Sequence, residues 1–99
     1  MCFKDKNGNK ILLSRAYRYK YGVYYLTLNK AKEDRILYFD LVNNAGEVDF
    51  KVTNLVTNEE INNVNLQTGV YDYSIKKDTS YRIVIIYKKT IGSCKITIK

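Results

Sequence analysis

Apolar and polar residues alternate along this chain in short runs, and that period of two constrains the fold more than any other feature. Tyr17, Tyr19 and Tyr21 alternate with Arg18 and Lys20. Val48, Phe50 and Val52 alternate with Asp49, Lys51 and Thr53. Tyr71, Tyr73 and Ile75 face away from Asp72 and Ser74, and Cys94, Ile96 and Ile98 from Lys95, Thr97 and Lys99. Successive side chains of a strand point to opposite faces, so each run has one side for a core and one for water.

The other runs complete the order. Val23 to Leu28 reads as a strand closed by the polar stretch Asn29 to Asp34, which has room for one helical turn. Arg35 to Val42 is mostly apolar, which predicts burial on both faces, and Asn43-Asn44-Ala45-Gly46 ends it with turn chemistry. A short edge strand is expected near Glu60 to Val64. Tyr81 to Tyr87 has Ile83 and Ile85 on one side and Val84 and Ile86 on the other, the pattern of a central strand; Lys88 to Gly92 is a hairpin-length connection. The spacing predicts an all-β fold, an antiparallel β-sandwich, jelly-roll-like, of seven to eight short strands. With no Pro in the chain, Lys is expected to guard the edges. At 99 residues and 45% hydrophobic, the chain supports one modest core. The expected organisation is a flexible lead-in or tether over 1–10 and a single β-sandwich domain over 11–99.

Composition removes whole classes of chemistry. The chain has no His, so Ser-His and Cys-His nucleophile pairs and His-bearing zinc sites are excluded. Cys2 and Cys94 cannot supply four thiolates, so no structural metal is expected. The acidic neighbours Glu33-Asp34 and Glu59-Glu60 lie in or beside loops, where two carboxyl groups rarely face each other across a cleft. Asp40 and Asp72 fall within strands and have no catalytic partner in view. The chain is therefore expected not to be an enzyme and to need no cofactor. No apolar run approaches the roughly 20 residues of a membrane span, and no retained signal peptide is expected.

The net charge is +7, unevenly spread. Residues 1–21 carry six basic and one acidic side chain, 22–75 four and eight, and 76–99 seven and one. Basic ends that meet in space make a polyanion-binding face, although excess Lys is also what an A/T-rich coding sequence produces. If the first and last strands pair, Arg18 and Lys20 join Lys95 and Lys99, with Arg82 from the same basic third, as candidate polyanion contacts. Strict alternation, however, sends Tyr17, Tyr19 and Tyr21 to one face and the cations to the other, whereas a base-stacking platform needs both on one surface. Of the ten tyrosines, most belong to the dry register; Tyr24, out of step with Tyr25, is the candidate for exposed aromatic contact. Cys94 reads as a small buried hydrophobe.

From Tyr24 onward, "VYYLTLNKAKEDRILYFDL", "GEVDFKVTNLVTNEEI", "TGVYDYSI" and "TSYRIVIIYKKTIGSCKITIK" follow one another in an order that resembles the small β-sandwich modules of bacterial secreted proteins and lipoproteins, similar to pre-peptidase C-terminal domains. Tyr81, Ile83 and Ile85 match the Tyr-x-Ile-x-Ile strand, and Gly92, Cys94 and Ile96 the terminal motif. The resemblance implies a non-catalytic accessory module, extracellular or envelope-associated, used for binding, solubility or secretion; its partner is left open among an anionic envelope polymer, a carbohydrate and a protein. Some such modules bind calcium ahead of the first strand; here that region holds Lys4, Lys6, Lys10, Arg15 and Arg18 against Asp5 alone, so calcium is not expected. Cys2, followed by a polar stretch, suits the lipid-modified first residue of a mature lipoprotein. The alternative is a small cytoplasmic inhibitor or adaptor, of cellular or phage origin, whose basic face meets nucleic acid or an acidic protein surface.

Overall fold

A computed structural model describes Phe3–Lys4, as backbone, and residues 8–99. It is all-β, with strands β1 (Phe3–Lys4), β2 (Lys10–Leu28), β3 (Arg35–Asn54), β4 (Glu60–Asn63), β5 (Gly69–Ile75) and β6 (Tyr81–Ile98). All pairings are antiparallel within one sheet ordered β1-β2-β6-β3-β4, with β5 also on β3. One edge of β3 takes β6 along its length; the other takes β5 over Arg35 to Leu41 and β4 over Phe50 to Thr53.

The seven to eight short strands expected from the sequence meet longer ones here. Where turn chemistry read as strand ends, pairing continues through bulges. Registers shift between Tyr17 and Gly22 in β2, and between Asn43 and Glu47 in β3. Each bulge adds one residue and reverses the phase of the alternation. In β3 the buried set is Leu37, Phe39 and Leu41 before the bulge and Val48, Phe50 and Val52 after it. In β6 it passes from Tyr81, Ile83, Ile85 and Tyr87 to Cys94, Ile96 and Ile98.

The bulges also fold the sheet over. Phe39 and Phe50 lie eleven residues apart in one strand, about 36 Å if it were straight. Their rings instead stack at 4.1 Å, and Phe50 meets Tyr73 of β5 at 5.1 Å. Two glycines permit the close approach of β3 and β6 at their bends. Gly46 has φ +82, and a Cβ there would sit 2.3 Å from the Lys89 carbonyl oxygen; at Gly92, φ +153, it would sit 1.9 Å from that of Val42. Asn43 ties the β3 bend to the following loop, its Nδ2 donating to the carbonyls of Gly46 at 3.2 Å and Leu66 at 3.1 Å.

β6 is central, as its two apolar sides predict, and β4 supplies the short edge strand. Burial on both faces of residues 35–42 is not found. Ile36 and Val42 are each 41% exposed, because no second layer covers the outer face there. Residues 1, 2 and 5–7, within the expected lead-in, lie outside the described residues, and Cys2 with them. No helix among the described residues is long and apolar enough to cross a membrane.

Candidate functional site

The β2 bulge builds the most distinctive surface of the molecule. Tyr19 takes the left-handed φ of 51 and Gly22 a φ of 131, so alternation stops between Tyr17 and Val23. Tyr17 turns inward; Arg18, Tyr19, Lys20 and Tyr21 are all exposed, Tyr19 and Tyr21 at 64% and 63%. Tyr19 and Tyr21 therefore do not join the dry side that the alternating sequence predicts for them. A cavity of about 360 Å³ lies at the bend, lined by Arg15, Tyr17, Arg18, Lys20, Tyr24 and Tyr87 among others, none of them acidic. A shallower depression of about 390 Å³ continues past Arg15 to Lys95, where Asp40 balances the charge. None of the ion pairs among the described residues engages Arg15, Arg18 or Lys20.

The five cations expected to form one patch are spread out, although β2 and β6 do pair. Arg18 and Lys20 share the cavity at the bend. Lys95 stands opposite Ser14, about 13 Å up the strand from Arg18. Arg82 stands opposite Thr27, about 23 Å from Lys20 in the other direction. Lys99 follows the end of β6 and lies near Asp34, Arg35 and Lys76. Arg15, absent from the expected set, is the cation the bend adds. Its signal in the sequence was its place in the interleaved stretch 15–21, masked by the assumption of a straight strand.

The expected exposure of Tyr24 belongs instead to its neighbour. Tyr24 is half-buried against the core, while Tyr25 is 66% exposed, because the phase reversal at the bulge turns even-numbered residues inward. Tyr24 still reaches the cavity wall.

Behind the cavity, Tyr17, Tyr87 and Cys94 form a buried polar knot. The two hydroxyls hydrogen-bond each other, and the Cys94 Sγ lies 3.4 Å from the Tyr17 oxygen and 3.8 Å from that of Tyr87. The rings meet at 4.4 Å. Burial pushes both phenols well above their ordinary range and raises the Cys94 thiol. A thiol held protonated is a poor nucleophile, so the knot is suited to closing the fold rather than to reaction. Cys94 is buried and free. Among the described residues no three Cys, Asp or Glu side chains gather as a metal ion would require.

No family model matches the chain, and no curated protein matches it in sequence. The structure by itself establishes a small, compact, mostly β-strand domain.

Proposed function

We propose that this chain is a non-catalytic binding module that holds an anionic polymer at the bend of β2. The observation that carries the reading is a cavity to which Arg15, Arg18 and Lys20 all contribute and, among the described residues, no carboxylate does. Cations that converge on one concave surface attract a chain of regularly spaced negative charges, and each neutralised charge releases a counterion. The buried phenols and thiol behind the cavity stay neutral at physiological pH and offer no nucleophile to a bound substrate.

The reading predicts salt-dependent binding to inorganic polyphosphate or heparin. Arg18→Ala with Lys20→Ala should weaken it and flatten the dependence of log K on log salt by up to about two charges. Binding unchanged in the double variant would refute the reading. Robust turnover of a hydrolase substrate, abolished by changing one carboxylate, would refute the non-catalytic part.

An exported, envelope-attached setting is supported by the Cys2 sequence and by the resemblance of residues 24–99 to secreted β-sandwich modules. An anionic envelope polymer is then the natural ligand. The mass of the native protein decides the setting: an unmodified chain beginning at Met1 ends the lipoprotein version and favours the cytoplasmic one.

A further inference from the structure

Beyond the bend, the outer face of β2 carries rings that the cationic cavity does not explain. Tyr21, Val23 and Tyr25 are 63%, 47% and 66% exposed, while Tyr24 and Leu26 between them pack toward the core. The register places Val23 opposite Ile86, Tyr25 opposite Val84 and Thr27 opposite Arg82. Arg82 is therefore the diagonal neighbour of Tyr25, about 7–8 Å away. The next strand continues these rows with Asp49, Lys51 and Thr53. Asp49 accepts the Asn65 backbone N–H at 2.8 Å, Lys51 lies 3.6 Å from Glu60, and none of the ion pairs among the described residues engages Arg82.

The solvent face of an antiparallel sheet is ordinarily polar. Here two tyrosines and a valine stand in water, contiguous at one end with Arg15, Arg18 and Lys20 and flanked at the other by Arg82. A second copy of the chain is a poor occupant, since a two-fold contact over this face would bring the cationic bends toward one another. An uncharged apolar partner would leave the same cations without counter-charge. The occupant that satisfies both features has flat π-faces strung on a phosphate backbone.

We propose that this face stacks the bases of single-stranded nucleic acid, whose phosphates run across the bend of β2. The proposal rests on the polyanion reading and narrows it. Tyr rings stack on any base, and Arg adds a cation over a π-face. A duplex hides its base faces, so the rings select the single strand. Tyr21 and Tyr25, four residues apart, are spaced by about 13 Å along the strand, which lets them engage separate bases.

The test is fluorescence anisotropy with a labelled oligothymidylate of about twenty nucleotides, longer than one site of this kind requires. Its duplex with oligoadenylate and inorganic polyphosphate serve as comparison ligands. The single strand should bind more tightly than the duplex. Tyr21→Ala with Tyr25→Ala should weaken it at least about fivefold, leave polyphosphate binding unchanged, and be rescued by Phe at both positions. Both side chains are exposed, so the variants fold. Preference for the duplex, or an Ala pair that binds the single strand like the parent, overturns the stacking proposal. If polyphosphate still binds and Arg18→Ala with Lys20→Ala weakens it, the polyanion reading survives that failure. Failure to bind any of the three ligands overturns both.

Discussion

Gly92→Ala tests the bend that organises this molecule. The new Cβ would lie 1.9 Å from the Val42 carbonyl oxygen and 2.9 Å from its carbon, and those atoms are backbone, with no side-chain torsion to relieve the clash. The φ of +153 adds a conformation that only glycine adopts readily. Backbone strain of this kind costs about 1–3 kcal/mol, and overpacking against a fixed wall about 1–3 more, so the loss should be about 2–6 kcal/mol. A domain of this size has about 5–15 kcal/mol in all. With a urea m-value of about 1–3 kcal/mol/M, the midpoint should fall by roughly 1–3 M. Gly22→Ala separates the two contributions. It shares a positive φ, +131, but no atom lies within 4 Å of its Cβ position, so only strain of about 1–3 kcal/mol is expected. Urea melts of both variants, followed by far-ultraviolet circular dichroism, decide the matter. A Gly92→Ala midpoint equal to the parent's, or no lower than that of Gly22→Ala, would show that β3 and β6 do not approach at Gly92 as closely as described.

Other consequences follow from the same bends. Because burial raises the Tyr17, Tyr87 and Cys94 pKa values above their unfolded values of 10.0 and 9.0, their stabilisation is complete below about pH 9 and is lost as pH rises from there toward the folded values. The urea midpoint should therefore drop between pH 9 and 11, and less steeply in Tyr17→Phe with Tyr87→Phe; parallel profiles would contradict the cause. In a Cys2→Ser background, the Cys94 thiol should label with a disulfide reagent only as fast as the protein opens, so rapid labelling in native buffer would place it outside the core. Asn43→Asp removes both side-chain donors at the β3 bend and adds a charge there, and should cost about 1–3 kcal/mol in a denaturant melt; a neutral effect would mean that the clamp to Gly46 and Leu66 is not formed.

Most of the strand content was legible because the alternation is strong within each run. Val48-Phe50-Val52, Ile83-Ile85 and Cys94-Ile96-Ile98 all turn inward as their pattern predicts. What a single sequence could not show is that adjacent runs join. A bulge reverses the phase of a period-two pattern, and a reversed phase reads as the end of one strand and the start of another. Asn43 to Gly46 and Lys88 to Gly92 carry turn residues because a bulge and a turn make the same demand for positive φ. Gly46, Lys89 and Gly92 meet that demand inside continuous pairing. The candidate site suffered from the same ambiguity. Tyr25, and not Tyr24, is exposed because the bulge after Tyr17 turns even-numbered residues inward, and Arg15 joins the site because it lines the same cavity as Arg18 and Lys20.

The bend that builds the core also builds the surface. Without the extra residue near Tyr19, Tyr17, Tyr19 and Tyr21 would lie on one face and Arg18 and Lys20 on the other, and β2 would be an ordinary edge strand with a dry side and a charged side. With it, Tyr17 turns in to meet Tyr87 and Cys94, which closes the corner of the folded sheet. Tyr19 and Tyr21 are turned out to solvent. The left-handed φ of Tyr19, unfavourable for a bulky residue, is held in place by what flanks it: the inward anchor at Tyr17 and the resumed ladder from Gly22 opposite Tyr87. Arg18 and Lys20, on either side of Tyr19 in the chain, line a cavity to which no carboxylate among the described residues contributes.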